Sequence, residues 1–265
     1  MKHIELKQRE SKCRNRWYPF YKTTHKLTDK PFSTMVISPH AGFIYSGMVS
    51  LKAVSNVKKN RIWFFAASHY EDISKGLSIF PGDYQSSIGK AVFPKDLGEN
   101  DYKIIGKYLS DEGHRTEEHS IENVLYALNH FAGEPEAFCG LVRIDDEKDF
   151  EKISDDIAGV WKEGDSIIVS TDWNHFVSTK VIDKLMDDVS GILSAGNFEE
   201  LYTGCKKGKY EACGIDSLYL AARILDKVNE NMKFEIIEAT NSAKAYPFDY
   251  CFTNCVGYVA ARNCM

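Results

Sequence analysis

No two of the seven cysteines in this 265-residue chain stand in a CxxC pair, and zinc-ribbon spacing is missing as well. An odd, scattered set argues against a disulfide framework and for a reducing compartment, with most thiols serving as small core residues. No apolar run approaches the ~20 residues of a membrane span. The opening stretch MKHIELKQRESKCRNRWYPF lacks the apolar middle of a signal peptide, so a cytoplasmic protein without a membrane partner is expected. Lysines occur singly or in short groups such as Lys58-Lys59 and Lys206-Lys207 against a net charge of −5. That leaves no basic stripe to follow a phosphate backbone, and nucleic acid is not an expected partner. The chain has no GxSxG elbow and no GxxxxGK[ST] loop, and the glycines of HAGFIYSG do not match GxGxxG. Without a Ser- or Pro-rich linker or an internal repeat, a single domain over residues 1–265 is expected.

What is present is the mix of an ordinary globular protein, 43% hydrophobic and 27% charged. Short β-branched runs alternate with longer amphipathic segments. STMVISP, RIWFFAAS, AFCGLVRI, DSIIVST, KFEIIEAT and CVGYVAAR have strand character. GMVSLKAVSNVKK, LGENDYKIIGKYLSDEG, HSIENVLYALNHF, DEKDFEKISDDIAGVW and residues 180–194 and 211–229 have helical spacing. The pattern predicts an α/β protein, a three-layer α/β/α sandwich on a central mixed sheet. The first strand, helix and strand predict a parallel pair with a right-handed crossover. Residues 80–94, rich in turn formers, predict a hairpin or extended arm at the sheet edge.

In open α/β sheets ligands bind beyond the carboxyl ends of the strands. His40 follows TMVISP, His69 follows RIWFFAAS and His175 follows DSIIVSTDWN, so three strands bring imidazoles to one edge. His119 opens a helix in EEHSIEN, flanked by Glu118 and Glu122. Imidazole suits zinc, copper, iron and nickel, and two histidines with one carboxylate leave open positions on non-haem iron. His40 and His69 form the natural pair, with Asp172, Glu118, Glu122 and Asp249 as candidates for a third ligand. Asp172 can ligate, orient a histidine or cap a turn. His175, which joins the candidate metal group, can also serve as acid or base. Cys213 opens a helix in EACGIDSLYL, a place for a minor nucleophile or a buried cap. Gly42 permits close backbone approach, and the Tyr45 hydroxyl can shape a pocket wall.

ISPHAGFIYSG, AASHY, EEHSIEN, STDWNHF and the late TNSAKA to GYVAA occur in the order and approximate spacing of one family. From about Met35 to its end the chain resembles the MEMO family, also called AmmeMemoRadiSam system protein B. The resemblance implies a fold similar to the class III extradiol dioxygenases, which use non-haem iron. It implies iron or copper on His40 and His69, His175 as acid or base, and Asp172, His119 and Glu122 as pocket residues. Ser68 and Asn241, inside the matching motifs, join Gly42, Tyr45 and Glu122 on the implied substrate pocket. The family's third ligand is a cysteine, which counting from TNSAKA places at Ala245, with Asp249 or Cys251 as substitutes. Two functions follow as expectations. One is a metal-dependent oxidoreductase; the other is a binding or accessory protein that takes a small molecule, a peptide, or a radical SAM enzyme and its companion protein.

Overall fold

The computed structural model describes residues 32–57, 60–70, 72–74, 76–114, 118–246 and 253–264. Asp249 and Cys251 lie outside them. The strands are β1 (Met35–Ser38), β2 (Arg61–Ala67), β3 (Leu77–Ile79), β4 (Tyr84–Gln85), β5 (Lys90–Ala91), β6 (Glu136–Val142), β7 (Ser166–Ser170), β8 (Trp173–Val177), β9 (Phe234–Asn241) and β10 (Cys255–Asn263). The helices are α1 (Phe43–Val54), α2 (Glu99–Ile105), α3 (His119–Ala132), α4 (Glu147–Ala158), α5 (Thr179–Ala195), α6 (Phe198–Lys206), α7 (Ile215–Lys227) and the single turn α8 (Ser242–Ala245).

Strands β3-β6-β2-β7-β1-β10 form one mixed sheet in that order, with β8 and β9 also paired to β10. The β6, β2, β7 and β1 pairings are parallel, and β3 and β10 join antiparallel. Strand side chains alternate between faces, and the buried residues sort accordingly. Val36, Ile62, Phe64, Ala66 and Ile168 pack under α1 and α3 with Leu51, Val54, Ile121 and Leu125. Met35, Ile37, Trp63, Phe65, Ile167 and Val169 face the opposite layer with Phe150 of α4, Ile182 of α5, Leu201 of α6 and Leu218 of α7. Helices thus cover both faces of an α/β sandwich.

Three differences from the sequence reading have physical reasons. β1 and β2 run parallel but do not pair, because β7 inserts between them; periodicity carries no information on strand order. The stretch read as one long helix from Leu97 is helical only over Glu99–Ile105. Helix α6 and strand β8 were not expected: α6 lies in a polar, Gly-containing stretch, and β8 is an edge strand with little apolar run. The arm at residues 80–94 does form a hairpin, through Tyr84–Gln85 and Lys90–Ala91.

The placement of β8 matters most. β10 pairs with β1 at Val36↔Arg262 and Ile37↔Ala261, then with β8 at Gly257↔Trp173 and Cys255↔Val177. β8 therefore takes up along β10 where β1 leaves off. Residues 172–175 come to stand just beyond the carboxyl end of β1, where His40 lies.

A candidate metal centre at the strand ends

His40 leaves β1 two residues past its end and is buried, 1% exposed. Its backbone N–H donates to Asp172 Oδ1 at 2.9 Å, and Asn123 Nδ2 of α3 donates to its carbonyl at 2.7 Å. These bonds fix the turn. Nδ1 faces Ser170 Oγ at 2.7 Å, and the Ser170 hydroxyl donates to the Ser120 carbonyl at 2.6 Å. With its proton committed, Ser170 accepts at Nδ1, so the neutral His40 ring carries its proton there and presents the Nε2 lone pair.

His69, just after β2, is held by Glu118. The backbone N–H of His69 donates to Oε2 at 2.9 Å, and Nδ1 meets Oε1 at 2.9 Å. Ser120 donates its N–H to the same Oε1 at 3.1 Å, and its single hydroxyl proton lies between that oxygen and the Ala67 carbonyl, both at 2.8 Å. Burial acts to raise the Glu118 carboxyl, yet the bonds from His69 and Ser120 hold it below its ordinary value. A carboxylate behind Nδ1 leaves Nε2 of His69 as a donor, the usual support of a metal-bound histidine.

Nε2 of His40 meets Cys213 Sγ at 3.3 Å. One donor atom each from His40, His69 and Cys213 lie within 4.8 Å of one another. The thiol arrives because Ala212 forms an isolated bridge with Trp173 and the Cys213 N–H donates to the Asp172 carbonyl at 3.3 Å. Gly214 makes that approach feasible: a Cβ there would sit 2.4 Å from the Ser170 carbonyl oxygen and 2.8 Å from Thr171 Cβ. Counting placed a third ligand position at Ala245, whereas the thiol that stands beside His40 and His69 is that of Cys213. Ala245 ends α8 and packs in an apolar cluster with Val49, Ala53 and Tyr258. The helix α7 starts two residues past Cys213, at Ile215.

The remaining candidates sort by contact. His119 opens α3 with its ring 5.3 Å from His40 and 4.3 Å from His69, and its Nδ1 meets the Tyr70 hydroxyl at 3.1 Å. Together with His69 and Glu118 it forms a second group within metal-ligand reach. Asp172 Oδ2 stands 3.8 Å from His40 Nε2. His175 falls inside β8 rather than at the end of β7, and neither convergent donor group among the described residues includes it. Gly42 is the N-cap of α1. Tyr45 lines a 330 Å³ cavity with Ser242, Val256, Tyr258 and Ala41, the residue that follows His40. Ser68 stands between β2 and His69, partly buried. Glu122 lies close enough to Tyr84 to influence its phenol. Asn241 is fully buried but commits its amide elsewhere, donating to Asp183 at 2.8 Å and accepting from the Lys244 N–H at 3.0 Å.

The electrostatics suit a cation. Burial, then His119, His69 and His175, hold His40 well below its ordinary value. Burial, then His69, takes His119 down to about 4. Burial raises Asp172 to about 6 and Cys213 to about 12. Burial thus disfavours a charge on both His40 and Cys213, whose Nε2 and Sγ face each other. Two imidazoles and a thiol fit zinc, copper or iron and disfavour magnesium or calcium. The sequence reading missed Cys213 as a donor, along with Ser170, Asn123 and Glu211. EEHSIEN held a signal, since Glu118, Ser120 and Asn123 all brace the two histidines.

Residues 4–261 match the family described as Memo-like protein. A MEMO1 family protein of Thermoplasma volcanium is 25% identical over 214 residues, covering 78% of this chain and 77% of the relative. One from Aquifex aeolicus is 26% identical over 187 residues, 68% of each. One from Methanococcus maripaludis strain C6 is 30% identical over 152 residues, 53% of this chain and 54% of the relative.

Proposed function

We propose, for a chain that belongs to the Memo-like family, that His40, His69 and Cys213 hold a redox-active iron or copper ion in an oxidoreductase acting on a small, mainly uncharged molecule. The observation that carries this reading is the convergence of two imidazoles and a thiol on one point, each imidazole with an acceptor behind Nδ1. When bound, the ion would supply Lewis acidity and a one-electron couple.

The chain's own residues do the rest. Ser170 and Glu118 take the ring proton at Nδ1, which leaves Nε2 of each neutral ring as the donor atom. Asp172, whose carboxyl rests near neutrality, can give or take a proton beside His40, and His175 can exchange one with a molecule at the mouth. The 330 Å³ cavity past Ala41, with no charged residue among its described lining residues, suits an apolar or aromatic-sized portion of that molecule. The accessory reading drew its support from a missing third donor, which Cys213 supplies.

Elemental analysis of protein purified without a chelating tag tests the proposal. Near-stoichiometric iron or copper that vanishes in His40→Ala and Cys213→Ser is the expected result. A metal-free protein that takes up neither ion would overturn it.

A further inference from the structure

Two histidines at this edge are gripped in the same way by different carboxylates. His69 gives its backbone N–H and Nδ1 to the two oxygens of Glu118. His175 gives its backbone N–H to Glu211 Oε2 at 3.2 Å and its Nδ1 to Glu211 Oε1 at 3.0 Å. Glu211 adds a third hold, its carbonyl accepting from the Asn174 N–H at 2.8 Å. This corner needs restraint. Asn174 (φ 36°) and Phe176 (φ 59°) flank His175 in the left-handed region, which Asn tolerates better than most residues and the bulky Phe does not. Glu211 also sits two residues before Cys213, so one short segment delivers the thiol to His40 and the clamp to His175.

We infer that Glu211 is the positioning residue for His175, fixing the ring as its Nδ1–H tautomer and leaving Nε2 as the atom that exchanges a proton with a bound molecule. A carboxylate only accepts, so the proton between the two belongs to Nδ1. The hold is local to this chain's own turn and differs from the Glu118 clamp in setting: Glu118 is sealed in the interior, whereas the Glu211 side chain is 58% exposed. The consequence is a histidine with fixed orientation at the solvent side of the cleft, opposite the buried His40.

The inference rests on reading His175 as the proton-handling residue, but its readout requires neither metal nor turnover. Long-range ¹H–¹⁵N spectra of the full-length, ¹⁵N-labelled protein above pH 7 report each ring's tautomer, with His175→Gln assigning the signal. His175 should be Nδ1–H in the unsubstituted protein. Glu211→Ala should lower the ratio of Nδ1–H to Nε2–H by about fivefold, the worth of one hydrogen bond. Glu211→Gln, which keeps an acceptor oxygen, should restore it, while the His69 signal stays unchanged in both variants and certifies the fold. A His175 ring protonated at Nε2 in the unsubstituted protein, or an unchanged ratio in Glu211→Ala, would overturn the inference. A metal-free protein would sink the proposed function and leave this assignment standing.

Discussion

The two ends of the central strands are both buried and polar, and they are built on opposite rules. At the amino end, Arg61 Nε and Nη2 meet the two oxygens of Asp165 at 2.9 and 2.5 Å, and Trp63 Nε1 donates to Asp165 at 3.1 Å. Asp101 stands 4.0 Å from Arg61 and 3.0 Å from Lys162. There every buried cation faces a carboxylate. At the carboxyl end, burial works against a charge on His40, on Cys213 and on Asp172, whose carboxyl is raised to about 6, and three imidazoles crowd together. The first arrangement answers charge with charge and locks β2 to the segment before β7. The second turns imidazole and thiol donors toward one point, which suits a ligand rather than a lock.

Substitutions should separate the two ends. The largest effect is expected from Cys213→Ser or His40→Ala, which should lose stoichiometric metal while circular dichroism stays native. At the other end, Arg61→Ala leaves Asp165 buried without its cation and should cost about 3–5 kcal/mol in urea unfolding, with metal content per folded protein unchanged. Glu118→Gln should keep the fold and weaken metal affinity by about 10–100-fold, measured by competition with a chelator.

The smallest effect concerns acid. His40 and His119 have values depressed in the fold, so the unfolded chain binds more protons below pH 6.5, and stability is lost as pH falls. Asp172, raised to about 6, works the other way: its contribution is complete at low pH and is lost as pH rises from 3.8 through 6. Two imidazoles against one carboxyl predict a metal-free protein less stable at pH 5 than at pH 7. His119→Gln should flatten that slope in paired urea titrations, and an unchanged slope would remove His119 from the account.

Much of this was legible in the sequence. The buried strands are continuous β-branched and aromatic runs, and His40 and His69 sit directly after two of them, so strand ends and turn residues announced the edge. β8 was not legible, because its pairing depends on where β1 stops along β10. Cys213 was hidden for a related reason: its approach follows from an isolated bridge and a close backbone pass at Gly214, neither of which has a periodicity. Counting along TNSAKA led to Ala245, since a single sequence does not say which loop crosses the strand ends.

The proposed metal centre stands or falls with a thiol as the third donor beside His40 and His69. X-ray absorption at the edge of the metal carried by the purified protein tests it directly. One sulfur scatterer near 2.3 Å, about the length of a metal–thiolate bond, together with imidazole nitrogens, is the predicted first shell, and the sulfur should disappear in Cys213→Ser. A shell of nitrogen and oxygen alone in the unsubstituted protein would contradict the account.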